Sequence, residues 1–160
     1  MQVDLHEYAC GISARNPKDL KIVHINTQSL KCFQHFAEFE YIFSNSGIDA
    51  IAVSETWLND SVNNESVSIP GYDIYRNDRF LKNGGGNAVY VRSDIRCKVV
   101  VRSANTCNLR PEYLFLELCL RDCKVLLISA YRLPKVSYMD MFLEDLQSHI
   151  FYYSYTIVAL

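Results

Sequence analysis

Three polar side chains stand where apolar runs end. Asn26 follows "KIVHI", Glu55 follows "AIAVS" and Tyr131 follows "VLLISA". Strands that end in polar groups are how an α/β protein assembles a site from distant stretches of chain. The chemistry these three types suit is phosphodiester hydrolysis. A glutamate is a hard oxygen ligand for Mg²⁺, an ion that keeps several waters and also touches substrate phosphate. The Asn26 amide is able to hold a carboxylate, a water or a phosphate oxygen. The Tyr131 hydroxyl both donates and accepts, and so suits a phosphate oxygen. Arg76, Arg79, Lys82 and Arg92 surround the Gly84-Gly85-Gly86 run. They are candidates for a DNA backbone, where such contacts position a duplex and make affinity salt-dependent. Each feature also has a plainer reading: a turn-forming asparagine, a solvated glutamate, an ordinary charged loop rim.

These side chains need elements to position them. Residues 20 to 26 read as a strand. "CFQHFAEFEYIFSNSG" reads as a helix with Phe33, Phe36, Phe39, Ile42 and Phe43 on or near one face and Gly47 as its stop. "IDAIAVSE" is apolar almost throughout and predicts a central strand. "SIPGYDIYRNDRF" predicts a turn and a short strand, "LKNGGG" a loop, and "NAVYVRSD" and "CKVVVR" strands. "YLFLELCL" and "KVLLISAY" flank "RDC" and predict an antiparallel hairpin. "SYMDMFLEDLQSHIF" predicts a helix with Ser137 as N-cap, and "YTIVAL" a last strand. Residues 1 to 19 show no clean period and are expected to be a lead-in, mobile or foreign to the domain. Hairpins mixed with crossover helices predict an α/β sandwich, with two sheets facing each other and helices outside.

Composition bounds the rest. With 160 residues, 49% hydrophobic, the chain is long enough for one packed core, and a formal charge of -2 excludes a generally basic nucleic-acid coat. No run reaches the roughly 18 apolar residues of a membrane span, and the N-terminus has no signal-peptide pattern. The six cysteines lack tight zinc-motif pairs, so free thiols, several of them buried, are expected. The triple glycine does not fit GxxxxGK[ST], which argues against a nucleotide P-loop. The tyrosines between 138 and 155 are expected in core or sheet packing, with base stacking as the alternative.

Several stretches in one order carry a resemblance: "HINTQSL", "DAIAVSETWLND", "IPGYDIYRNDR", "GGGNAVYVR" and "ISAYRLP". Over about residues 20 to 160 the chain resembles the endonuclease/exonuclease/phosphatase superfamily. Within it, the likeness is to the endonuclease domain of non-long-terminal-repeat retrotransposon polyproteins, which also carry reverse transcriptase. The resemblance implies a four-layer α/β sandwich that hydrolyses phosphodiester bonds with Mg²⁺ or Mn²⁺. In retrotransposons such a domain nicks target DNA and leaves a 3′-hydroxyl to prime reverse transcription, which implies intracellular work with nuclear access. It places Asn26, Glu55 and Tyr131 in the site, with Glu55 as the metal ligand.

Two departures stand out. The family pattern continues with Gly-Asp-Phe-Asn after the strand expected from "YTIVAL", then with a further acidic residue and an Asp-His pair, and the sequence given ends at Leu160. The reading is therefore a truncated copy, an incomplete sandwich that is inactive by itself, with an uncovered sheet surface that favours self-association. Leu133 and Asn87 also replace the usual proline and aliphatic residue. Two readings compete: a non-catalytic module that binds nucleic acid or protein, and a phosphatase of the same superfamily.

Overall fold

The computed structural model describes residues 5–15, 18–79, 84–104, 111–131 and 139–159. Its elements run α1 (Leu5–Arg15), β1 (Ile22–Asn26), α2 (Phe33–Phe43), β2 (Ala50–Ser54), β3 (Tyr72–Asn77), β4 (Asn87–Arg92), β5 (Arg96–Arg102), β6 (Glu112–Cys119), β7 (Lys124–Tyr131), α3 (Asp140–His149) and β8 (Tyr155–Ala159). One four-stranded sheet has the order β1-β2-β4-β3 and the other β5-β6-β7-β8. Each is mixed: β1 runs parallel to β2 and β7 parallel to β8, and the other pairings are antiparallel.

Side-chain alternation explains the layering. Along β2, Ala50 and Ala52 pack with Val89, Val91, Leu114, Leu116, Leu118, Val125 and Leu127 between the sheets. The intervening Ile51 and Val53 pack with Phe39, Ile42 and Phe43 of α2. On the second sheet Tyr113, Phe115, Leu126 and Ile128 meet Phe142 of α3. Strands covered on both faces read as continuous apolar runs, because successive side chains point to opposite sides. The result is the expected α/β sandwich: helix, sheet, sheet, helix. No helix among the described residues is long and apolar enough to cross a membrane.

Several local expectations need correction. The lead-in contains α1, which has no clean apolar stripe but packs on α2 and buries Ala9. Phe33 points into solvent, 82% exposed, because it opens α2 ahead of the buried stripe. That helix ends before Gly47: Asn45 already adopts the left-handed conformation, at φ 59°. Ser137 lies outside the described residues, and the position before α3 is Met139, without a side-chain cap. Tyr152 and Tyr155 are exposed rather than packed, while Tyr153 bonds to Glu117. The five described cysteines are free but partly exposed rather than buried.

Glu117 ties the outer face of the second sheet together. Its carboxylate accepts from Lys98 on β5 and Lys124 on β7, each at 3.2 Å, and from Tyr153 and Cys119. Burial works against its charge, but these donors outweigh burial and hold its pKa down to about 2. A carboxylate depressed in the folded state stabilises the fold above its unfolded value near 4.5, and that contribution is lost as pH falls toward 2. Both lysines reach solvent, so screening reduces the effect. Glu117→Gln is expected to lower the melting temperature at pH 6 and to have little effect at pH 2. Parallel melts across that range check it, and an equal loss at both ends contradicts it.

Candidate active site

The two sheets bring their ends together at one edge of the sandwich. In register, Asn26 lies beside Ser54, Ser54 beside Asn87, and Asn87 beside Asn77. On the second sheet Glu112 lies beside Tyr131. Glu55 directly follows β2 and takes φ 58°, and Trp57 takes φ 56°. Left-handed backbone costs a non-glycine residue about 1–2 kcal/mol, so other contacts must hold it there. On one side the Ser29 and Leu30 N–H groups donate to the carbonyls of Glu55 and Thr56, each at 2.8 Å. On the other, the Thr56 and Trp57 N–H groups donate to Gly86 and Gly85 at 3.2 and 2.9 Å.

The Glu55 side chain is equally constrained. Its Oε2 accepts from the Trp57 indole N–H at 2.7 Å and from the Gly85 N–H at 3.0 Å. The Tyr131 hydroxyl also donates to this carboxylate, and Arg79 lies close enough to act through its charge. Partial burial raises the pKa of Glu55, but the bonds from Tyr131, Trp57 and Gly85, with the Arg79 charge, hold it below the usual value. Glu55 is therefore ionised at neutral pH. The Tyr131 hydroxyl is pushed up to about 12, first by burial and then by its bond to the Glu55 carboxylate. It stays protonated and acts as a donor.

Arg79 and Glu112 form a second layer that sequence reasoning missed in part. Arg79 pairs through Nε with Oε1 of Glu112, and Oε2 of Glu112 accepts from the Gly86 N–H at 2.7 Å. The guanidinium lies against Gly85. A Cβ there would overlap Nη2 and Cζ of Arg79, and at Gly86 one would sit 2.6 Å from Thr56 Oγ1. The triple glycine thus gives more than a turn: it lets an arginine and a threonine close onto the backbone that holds Glu55. Among the described residues, the Nη2 atom of Arg79 is buried without a hydrogen-bond partner. Asn87 is fully buried; its Nδ2 donates to the Glu112 carbonyl at 2.7 Å, while its Oδ1 has no partner among the described residues. One unmet acceptor costs about 1–3 kcal/mol.

The other candidate residues divide. Asn26 stands at the tip of β1, and its Oδ1 accepts from the Gln28 N–H at 3.2 Å, a turn-forming bond. Arg76 is turned to structure: it bonds the Val62 carbonyl at 2.8 Å, the Asn59 carbonyl at 3.1 Å and Asn64 Oδ1 at 2.9 Å, and pairs with Asp78. Arg92 ends β4 at the far side from Asn87 and pairs with Asp49 and Asp94. The structure thus brings Arg79 to Glu55 and leaves Arg76 and Arg92 elsewhere. Lys82 lies outside the described residues. No cluster of three or more His, Cys, Asp or Glu side chains able to hold a metal occurs among the described residues.

Gly85→Ala is expected to destabilise the fold by about 2–4 kcal/mol, from left-handed backbone and the clash with Arg79. Urea unfolding checks this, and a loss under about 1 kcal/mol contradicts the packing described.

Solved structures share this fold. The Leishmania major AP endonuclease LMAP matches with a TM-score of 0.59 at 15% identity, over 92% of this chain and 57% of that one. Truncated Caenorhabditis elegans TDP2 matches with a TM-score of 0.55 at 16% identity, over 82% and 59%. D. rerio TDP2, in complex with a single-strand DNA product, matches with a TM-score of 0.50 at 13% identity, over 81% and 52%. The chain spans between about a half and three-fifths of the lengths of these structures. No protein-family model and no curated protein matches the sequence.

Proposed function

We propose that this chain, which has the fold of the endonuclease/exonuclease/phosphatase superfamily, carries the metal-binding carboxylate of a phosphodiester-hydrolysing site for nucleic acid. The observation that supports this most is Glu55. It is an ionised carboxylate at a strand tip, held by Trp57, Gly85 and Tyr131 beside an arginine with an unpartnered Nη2. Because the chain spans little more than half of those structures, hydrolysis by an intact domain is itself part of the proposal.

The donor set fits a divalent ion. Mg²⁺ and Mn²⁺ suit hard oxygen ligands, and Mg²⁺ is commonly bound through one or two carboxylates with water and phosphate completing its shell. Glu55 would hold the ion, with the Asn26 amide on the adjacent strand available to a bound water. The ion would supply charge stabilisation at the phosphate oxygens. Tyr131, protonated up to about pH 12, does not serve as a base; its one O–H, given to Glu55 here, would turn to a phosphate oxygen when the ion occupies that carboxylate. Arg79, whose charge already reaches Glu55, would add positive charge beside the same phosphate.

Among the described residues, no histidine bonds to Glu55, Tyr131 or Arg79, and Glu112 is committed to Arg79 and Gly86. These residues bind and orient, and none of them activates water. The chain by itself is therefore expected to bind metal and DNA without turnover. The retrotransposon branch is favoured over the phosphatase branch by "SETWL", "IPGY" and "GGG" occurring in order.

Glu55→Gln is expected to weaken Mn²⁺ binding at least about ten-fold, read from the free-ion electron paramagnetic resonance signal. Nicking of supercoiled DNA is expected to stay at background for both proteins. Unchanged Mn²⁺ affinity overturns the metal-site reading. Metal-dependent nicking that Glu55→Gln abolishes overturns the expected inactivity.

A further inference from the structure

Trp57 is the only tryptophan in the chain, and it sits two residues beyond Glu55 with 43% of its surface exposed. Its neighbour Leu58 is buried at 2%. An indole left this open beside a charged site departs from the usual tendency of tryptophan to be largely covered.

The side chain is also fixed in place. Its backbone is left-handed, its N–H bonds the Gly85 carbonyl at 2.9 Å, and its indole N–H bonds Glu55 Oε2 at 2.7 Å. Gly84, with φ 85°, lies within van der Waals reach of the indole and adds no side chain over it. The single polar group of the ring is therefore spent on Glu55. What remains for a ligand is an apolar aromatic surface, preorganised at little further entropic cost.

We propose that Trp57 is a nucleobase platform. Its exposed indole receives, by stacking, a base next to the phosphate that Glu55 and Arg79 address. The inference rests on the nucleic-acid reading of the site and adds the part of the substrate that Trp57 contacts. A base fits this surface better than a second phosphate does, because the indole offers no free donor and Arg79 already supplies the local positive charge. Stacking on an aromatic ring tolerates any base, since each has a π-face. The contact should therefore add affinity without strong sequence preference.

Because Trp57 is the sole tryptophan, its intrinsic fluorescence reports on this one position. The test titrates the chain with a single-stranded oligodeoxynucleotide and with an abasic strand of equal length and phosphate content. Quenching by the first strand and not by the second is expected. Trp57→Ala should weaken binding of the base-bearing strand roughly 5- to 150-fold, the equivalent of about 1–3 kcal/mol. Binding by the variants is read from the anisotropy of a labelled strand. Trp57→Phe keeps an aromatic face but loses the bond to Glu55, and should retain most of the affinity; circular dichroism verifies that both variants fold. Equal binding of the two strands, with Trp57→Ala unaffected, overturns the platform and leaves the nucleic-acid reading standing. If neither strand binds, both fall.

Discussion

The backbone from Glu55 to Trp57 is gripped from both sides. The loop after β1 donates to the carbonyls of Glu55 and Thr56, and the glycine loop before β4 accepts from the N–H groups of Thr56 and Trp57. This grip extends the sheet past the ends of its regular strands. It allows two residues within a three-residue span to adopt left-handed conformations that sterics disfavour. The carboxylate and the indole are aimed by that geometry and then locked to each other. Strain of this kind persists only where surrounding structure over-determines it. Here the surrounding structure is the ladder of β1, β2 and β4, in which β2 is buried throughout and β4 up to Val91.

The second sheet reaches this tip through Glu112 and Tyr131, paired neighbours on β6 and β7. Glu112 holds Arg79 and the Gly86 amide, Tyr131 bonds Glu55, and the Glu112 carbonyl accepts from buried Asn87. Polar contacts therefore join the sheets at the site end, and elsewhere apolar packing joins them, with a bond from the Tyr75 hydroxyl to the Cys97 carbonyl at 3.4 Å. Asn77 adds to the same seam by donating to Ser103 Oγ at 2.8 Å and to the Tyr113 carbonyl at 3.0 Å. A buried, nearly satisfied network specifies one alignment of the two sheets, where apolar contacts alone would tolerate sliding. The unmet acceptor on Asn87 and the unmet donor on Arg79 are the places where this network remains open.

Much of the fold was legible because alternation and apolar runs carry it. All eight strands and the helices α2 and α3 coincide with the periodic segments, and the "RDC" turn does join an antiparallel pair. α1 was not legible, because its sequence lacks an apolar stripe and its place is set by packing on α2. The placement of Asn26, Glu55 and Tyr131 near one edge follows from strands that end there. Glu112 and Asn87 escaped notice as site residues for a directional reason. Antiparallel strands bring their first residues to the edge where their neighbours end, so polar groups at strand starts belong to the same site. The separation of Arg76 and Arg92 from Arg79 has a similar cause. Arg92 lies at the opposite end of β4 from the glycine loop, and Arg76 is drawn into the 59–64 loop by three hydrogen bonds. Proximity in sequence to the glycines did not distinguish them.

The claim on which the rest depends is that the gripped tip presents Glu55 to a divalent cation. Crystals of the chain soaked in Mn²⁺ and measured at a wavelength where manganese scatters anomalously test it directly. The account predicts an anomalous peak about 2.1–2.3 Å from a carboxylate oxygen of Glu55, with Arg79 still paired to Glu112. A Glu55 carboxylate that keeps its bonds to Trp57, Gly85 and Tyr131 while manganese binds only elsewhere would contradict it.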